Sequence, residues 1–451
     1  MQERRLPPGP RLPGPAQTAW YVFDQPGMWA WCRRRYGRTF TARLPGFPPV
    51  VVTSDRNAIK RVFTGDPLLR RHGNDLLEPV FGRRSLLLLE PAEHLERRKI
   101  ELPPFHGRAV RSYAARIQEL CEQELADWHL GDTLMSHPRA RALTLAIILE
   151  LVLGVRDTEL RDELAALIDW FNTPLHNLAL FLPAGLNRRT WWNLPTRPAY
   201  ARLDRMHELL DQHIARTRRD PAFDDRTDVL ALLLAARGEN GQALTDLDLR
   251  DELVTLVIAG HETTATAIAW ACDLLAHNPQ QQSRIRETLA EGERDYLKAA
   301  AKEVLRARTL AYASAARHPL EPFPIGDWLI GPDTMILVDA QGVHGDPEIY
   351  PDPEAYRPER FLENPPDGYS YIPFGGGAHR CLGASLAMLE LESFLETLVT
   401  RTELAPAGPP AKPVRRGPIL APDTEGRVRV SRLTSPAETV RATATPAPAG
   451  I

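Results

Sequence analysis

A mainly α-helical fold with a smaller β portion, held in one domain, is what this sequence predicts, and three observations predict it. Apolar residues recur at helical spacing through most of the stretch from Glu93 to His277. Beyond Arg317 that rhythm gives way to short β-like pieces set between turn residues. Near the N-terminus, ARLPGFPPVVVTS places apolar runs on both sides of a Gly/Pro turn, the pattern of a hairpin.

In chain order, residues 1–15, MQERRLPPGPRLPGP, form a proline-rich lead expected to be extended. After the hairpin, helices are expected in AARIQELCEQELADWHL, LTLAIILELVLG and YARLDRMHELLDQHIARTRR. A polar break, GENGQALTD, precedes a long apolar helix starting near Leu247, and DYLKAAAKEVLRAR forms another. DWLIGPDTMILVDA reads as strand pieces between turns. DPEIYPDPEAYRPERF is rich in Pro and charge, but its aromatics can anchor it to a core. A glycine-rich loop around a cysteine follows, then a helix in LGASLAMLELESFLETLVTRTEL. No repeat is visible and no linker divides residues 16–432, which are expected to be one domain. Residues 433–451 are low in complexity and are expected to be a disordered tail.

Composition narrows the function classes. A formal net charge of -3 argues against a nucleic-acid binder, which carries a basic excess. The four cysteines, Cys32, Cys121, Cys272 and Cys381, are far apart, so they make neither a disulfide framework nor a zinc site. The N-terminus lacks the apolar core of a secretory leader. The longest apolar stretch, AIILELVLGV, has ten residues and contains Glu150, against the roughly 20 needed to span a bilayer. A cytoplasmic protein without a membrane span is the expectation.

The chemistry is carried first by FGGGAHRCLG, Phe374 to Gly383. Glycines allow positive φ and close approach of another group to the backbone. A helix starting near Leu382 would turn its positive end toward the Cys381 sulfur and favour the thiolate. Backbone N–H groups could tune that sulfur, and Phe374 could shield it from water. Such a cysteine is structural, a nucleophile or a metal ligand. A nucleophile needs a base, and His379 stands two residues away. Ligation by one thiolate suits heme iron.

Phe374, Gly377, Cys381 and Gly383 realise F-x-x-G-x-x-x-C-x-G, which closely resembles the heme-ligand signature of the cytochrome P450 family. The resemblance extends from about Leu6 to Val430, and LPPGPRLP, RLPGFPPVVV and LLEPAEHLERRK look like bacterial soluble members. It implies that Cys381 is the proximal ligand of heme b (iron protoporphyrin IX), whose thiolate favours O–O cleavage in this family. Phe374, Gly375 and Gly383 would form the cofactor loop around it.

Further segments match in order. AGHETT, Ala259 to Thr264, sits inside an apolar helix where Glu262 is out of place and Gly260 weakens the helix. A kinked helix with a solvent-facing Glu is the plain reading. The segment also resembles the family's oxygen-binding motif, with Ala259 and Gly260 against the cofactor. By that match Thr263 is the hydroxyl that hydrogen-bonds dioxygen and Glu262 the acid that passes protons. KEVLR places Glu303 and Arg306 three apart on one helical face, by itself a weak surface pair. It resembles the Glu-x-x-Arg motif, whose third member would be Arg360 in YRPERF, bracing the cysteine loop. Thr309-Leu310 stand where the family usually carries Pro-Pro. HLERR places His94 and Arg98 on one face, and the resemblance points both, with His379 and Arg317, to the heme propionates.

By family position the substrate pocket would include Leu76, Val80, Phe171, Leu178, Ala259 and Ile419, mostly apolar. That lining suits terpenoid, fatty-acid or polycyclic substrates. The implied activity is insertion of one oxygen atom of O2 into such a molecule. With no flavin or ferredoxin domain after the cysteine helix, electrons would come from a separate ferredoxin and its NAD(P)H-dependent reductase. Arg97, Lys99, Arg108, Arg111 and Arg380 would make either a docking patch for an acidic ferredoxin or an ordinary solvated charge run. Other chemistry of the same group (coupling, desaturation, peroxide-driven oxidation) and a heme sensor or carrier without turnover stay open. The presence of both Glu262 and Thr263 counts against the sensor.

Overall fold

The computed structural model describes residues 6–45, 47–65, 69–71, 78–171, 197–311, 314–416 and 419–433. Its helices and strands follow the sequence pattern closely, with one large addition. The lead is followed at once by a helix, α1 (Gly14–Tyr36), which sequence periodicity misses. Its pattern is broken internally: Asp24 has φ -152 and ψ 66, and Pro26 follows. The lead itself is docked. The Pro7 carbonyl accepts from Thr41 Oγ1 at 2.7 Å, and Gln17 Nε2 donates to the carbonyls of Pro10 and Leu12.

The expected hairpin is β1 (Thr39–Ala42) against β2 (Val50–Thr53), antiparallel. They belong to a five-stranded sheet, order β1-β2-β8-β5-β3, with β3 (Leu69–Arg71), β5 (Ser314–Pro319) and β8 (Met335–Val338). Only β2 and β8 run parallel there; Val51 and Ile336 are partners in that pair and both are buried. β6 (Phe323–Ile325) and β7 (Trp328–Ile330) form a small hairpin. β4 (Thr133–Met135), β12 (Arg427–Leu433) and β9 (Thr402–Pro406) make a three-stranded sheet, and β10 (Pro413–Arg416) pairs with β11 (Ile419–Pro422).

The helical part is larger. In order come α2 (Arg56–Thr64), α3 (Glu78–Phe81), α4 (Pro91–Glu101), α5 (Gly107–Ala126) and α6 (Ser136–Ile147). Then follow α7 (Thr158–Phe171), α8 (Arg197–Arg218), α9 (Val229–Ala235) and α10 (Asp246–His277). The rest are α11 (Pro279–Ala290), α12 (Asp295–Ala307), α13 (Ala340–His344), α14 (Arg360–Glu363) and α15 (Ala384–Arg401). LTLAIILELVLG does not stay α-helical: Ile148–Val152 form a π-turn after α6. The helix after Cys381 starts at Ala384, not near Leu382, because residues 382–383 still complete a turn.

α10 is the axis of the molecule. Thr245 caps it: its hydroxyl accepts from Asp248 N–H, and the Asp248 carboxylate accepts from Thr245 N–H. Its apolar sides are buried against α6, α15 and α8 in one continuous core. Trp270 is fully enclosed there, with its indole N–H donating to the Leu420 carbonyl.

Candidate functional site

The cysteine loop is built by its glycines. Gly375 and Gly377 have φ +67 and +68, a region that side chains resist. Cys381 N–H donates to the Phe374 carbonyl at 2.9 Å and closes the loop on itself. Gly376 is bare for a different reason: a Cβ there would lie 2.2 Å from Phe63. Gly383 has no such cause within the protein. Its φ is -83, and an added Cβ would meet nothing within 4 Å.

Cys381 is exposed, unlike Cys32, Cys121 and Cys272. Protein nevertheless surrounds it closely enough for burial to push the thiol above its ordinary range. Both statements hold for a sulfur that lines an internal space. The Gly383 N–H pulls toward thiolate, as expected from sequence, and so do the charges of Arg98 and Arg380, but burial outweighs them. A bare thiol held protonated is a poor nucleophile. A metal cation reverses this balance, since a coordinating thiol is deprotonated outright. Among the described residues no group of three or more His, Cys, Asp or Glu is placed to hold a metal ion.

The structure brings α4 to the same place. His94 is buried, and its Nε2 lies 3.1 Å from Nδ1 of His379, with ring centroids 4.0 Å apart. Arg98, one turn on, is close enough to act on the Cys381 sulfur. Three groups able to hold an anionic edge thus meet from two elements. Arg317, the fourth, is buried in β5 between β8 and β3. Before it, the Leu310 carbonyl accepts from Leu420 N–H at 2.9 Å, which ties Leu310 to β11; residues 312–313 lie outside the described residues.

On α10 the AGHETT residues face different ways. Ala259 is exposed in the middle of a mostly buried helix, and Gly260 and Thr263 are half-buried beside it. An exposed alanine at such a position marks open space within the molecule. The expected kink does not interrupt the element, which is continuous from Asp246 to His277. Gly260 instead makes room: a Cβ there would lie 3.1 Å from Ile148 of the π-turn. Thr263 Oγ1 donates to the Ala259 carbonyl at 2.7 Å. Its proton is therefore committed, and it offers the open side an acceptor lone pair.

Glu262 is not solvent-facing. Its Oε1 lies 3.1 Å from His137 Nε2 and its Oε2 3.2 Å from Arg141 Nε, both on α6. Burial opposes its ionisation, but the hydrogen bond from His137 and the charge of Arg141 win and hold it below the usual carboxylate range. Arg416 Nη1 lies 3.4 Å from His137 Nδ1. A guanidinium only donates, so Nδ1 accepts and Nε2 carries the hydrogen toward Glu262. Sequence reasoning misses His137 and Arg141, because a lone His and Arg at a helix start carry no local signal.

Glu303, Arg306 and Arg360 do meet, and they are buried. Arg306 binds Glu303 with two bonds, at 2.6 and 2.7 Å, and Arg360 Nε adds a third at 3.1 Å. The guanidiniums continue outward, Arg306 to the His344 carbonyl and Arg360 to the carbonyls of Pro351 and Asp352. His344, which sequence reasoning misses, carries this brace to the cysteine loop. Its Nε2 accepts from Ile372 N–H at 2.9 Å, two residues before Phe374. Nδ1 then donates to Thr309 Oγ1 at 2.8 Å, and Thr309 donates to the Arg306 carbonyl. The departure from Pro-Pro at Thr309 thus has a structural use.

Burial, then the charge of Arg306, pushes His344 down from 6.5 to about 3. It stays neutral in the fold but takes up a proton once unfolded, so its share of stability is lost as pH falls from about 6.5 toward 3. His344→Phe is expected to lower the melting midpoint at neutral pH by stranding Ile372 N–H and Thr309. It is also expected to flatten the acid dependence by up to one proton per molecule, read from melting midpoints across that pH range. An unchanged midpoint and slope would mean that His344 braces nothing.

Among the pocket residues, Val80 (α3) and Ile419 (β11) are buried. Phe171 ends α7, but its side chain, like Leu76 and Leu178, lies outside the described residues. The basic docking patch is smaller than expected. Arg97 is buried and bound to Asp248 at 2.5 Å, and Lys99 pairs with Glu239. Arg108, Arg111 and Arg380 are exposed. Arg380 borders a depression of about 290 Å³ shared with Phe374, Ser385 and Met388. His106 Nδ1, 3.3 Å from Ser385 Oγ, joins the start of α5 to it.

Comparison with known proteins gives a consistent result. A family profile described as Cytochrome P450 matches residues 7–428. The chain is 35% identical over 452 residues to "Putative cytochrome P450 135B1" of Mycobacterium tuberculosis, covering 97% of the chain and 94% of the relative. It is 37% identical over 401 residues to "Putative cytochrome P450 137" of the same species, covering 88% and 83%. A retinoic acid-bound cyanobacterial CYP120A1 superposes with a TM-score of 0.82 at 24% identity, covering 95% of this chain and 99% of that one. At that identity the likeness speaks for the fold.

Proposed function

The chain belongs to the cytochrome P450 family, and on that premise we propose that it inserts one oxygen atom of O2 into a hydrophobic small molecule of terpenoid, fatty-acid or polycyclic type, using electrons from a separate ferredoxin and its reductase. Members of the family are heme-thiolate monooxygenases that bind heme b, and they work with O2 and a redox partner. When bound, the heme supplies activation of dioxygen, and a thiolate ligand favours O–O cleavage. The observation that carries the reading is an exposed cysteine in a glycine-built loop with His94, Arg98 and His379 beside it. An alanine exposed in mid-helix beside Thr263 supports it. The bareness of Gly383, unexplained by the protein, supports the same fit.

Each residue then has a task. Cys381 would ligate the iron, and His94, Arg98, His379 and Arg317 would hold the propionates through charge-assisted bonds. Phe374, Gly375 and Gly383 would keep the loop closed and bare. Ala259 and Gly260 would leave room above. Thr263, its own proton given to Ala259, would hold a proton donor such as water by its lone pair. Glu262 would receive protons through His137, the group that donates to it.

Inserting one oxygen consumes two electrons and two protons and releases one water; the same electrons and protons yield hydrogen peroxide when insertion fails. Thr263→Ala removes the acceptor that holds the proton donor. It is expected to shift the product-to-peroxide ratio toward peroxide by about tenfold, a difference of about 1.4 kcal/mol between competing barriers, with heme content unchanged. The measurement uses isotopically labelled dioxygen and a panel of hydrophobic compounds, counting labelled product and peroxide per NADPH. Absence of substrate-stimulated NADPH use by the wild type across a broad panel would favour a sensor or carrier.

Arg108, Arg111 and Arg380 would steer an acidic ferredoxin to the depression beside Phe374, mainly through the association rate. Charge reversal at Arg108 and Arg111 is expected to slow reduction by ferredoxin most at low salt. Reduction indifferent to both reversal and salt would place docking elsewhere.

A further inference from the structure

We propose that the face built by α1 and the β1–β2 loop docks on the surface of an anionic lipid bilayer. The apolar part is unusual for a face in water. Phe23 is 88% exposed and Val22 50%, at the break of α1. Asp24 produces that break: it leaves helical geometry and its carboxylate accepts from Gly27 N–H at 3.0 Å, capping the second segment. Val22 and Phe23 are left at the projecting corner. Leu12, Trp31 and Phe47 are also substantially exposed. Two of them lie against other parts of the same face: Trp31 packs against Trp20 with tilted rings 5.4 Å apart, and Gly14 packs against Pro45 of the loop that carries Phe47.

Charge decides the partner. Residues 6–52 contain six arginines (11, 33, 34, 35, 38 and 43) and a single acid, Asp24, in a chain of net charge -3. Arg33 and Arg38 are bound to Asp339 and Asp346. Arg11, Arg34, Arg35 and Arg43, on the lead, α1 and the β1–β2 connection, are exposed. Arg415, from β10, lies 5.1 Å over the Tyr21 ring and adds another. An exposed Val-Phe pair, with Trp, Tyr and exposed arginines on the same elements, forms the pattern of an interfacial element, with rings at headgroup depth and cations on the phosphates. A second copy fits poorly, because a two-fold contact would set the arginines of one copy against those of the other. Among the described residues no helix is long and apolar enough to cross a membrane, so the contact is peripheral and reversible. This inference does not depend on the assigned activity.

The test is flotation of the heme-loaded full chain with vesicles of phosphatidylcholine alone or mixed with phosphatidylglycerol. Binding is expected only to the mixed vesicles at low salt, and its loss is expected at about 1 M salt, where the screening length is about 3 Å. Val22→Ser with Phe23→Ser, and separately Arg34→Glu with Arg35→Glu, should each weaken it by about tenfold or more. The thermal midpoint of each variant should match the wild type, which separates lost docking from lost folding. No flotation of the wild type with mixed vesicles at low salt would overturn the proposal. So would flotation unaffected by both variants, or a solution dimer that Phe23→Ser dissolves.

Discussion

Cys381→Ser is expected to abolish substrate-dependent NADPH oxidation while leaving the thermal midpoint of the heme-free chain where it was. The fold does not rest on this side chain. Cys381 is exposed, and its structural contribution is a main-chain bond to the Phe374 carbonyl, which serine keeps. What changes is the donor: a hard hydroxyl replaces a soft, electron-rich thiolate, and the push toward O–O cleavage is lost. A drop on the order of 10³-fold, about 4 kcal/mol of barrier, is the scale expected. Retained turnover would remove the cysteine from the chemistry, and a collapsed midpoint would make it a core residue after all.

The largest stability effect is expected at Glu303. Its carboxylate accepts from Arg306 twice, from Arg360 and from Arg357 N–H, all out of water. Glu303→Ala leaves two buried guanidiniums facing each other without a counter-charge. Removing one partner of such a pair costs about 3–5 kcal/mol, set against a total stability of about 5–15 kcal/mol for a domain. The variant should unfold at lower denaturant and incorporate heme poorly, because the same network reaches Ile372 through His344. Arg306→Lys should fall between wild type and Glu303→Ala, since an ammonium keeps the charge and loses the two-pronged geometry. A Glu303→Ala protein with wild-type midpoint would reduce the triad to a surface pair, the reading its spacing alone would give.

Much of the candidate site was legible in the sequence because its parts are local. The glycines at 375 and 377, the cysteine at 381 and the Glu-x-x-Arg spacing are set by covalent distance along the chain, and the turn or helix face follows from it. Groups that act across the fold were not legible. His137 and Arg141 reach Glu262 from more than a hundred residues away, and His344 joins two segments that nothing in sequence relates. Arg97 shows the converse error. Beside Arg98 and Lys99 it reads as surface charge, yet the N-terminal turn of α10 brings Asp248 onto it and makes burial tolerable. α1 escaped notice because Asp24 and Pro26 break its period, although both halves are helical.

The central claim is that Cys381 ligates heme iron as a thiolate, in a space it shares with Ala259 and Thr263. The reduced carbon-monoxide difference spectrum of the freshly reconstituted wild-type chain tests this most directly. The account predicts the strongly red-shifted band of a thiolate-ligated heme, lost in Cys381→Ser. Stoichiometric heme uptake without that band, or the same band in the serine variant, would contradict it.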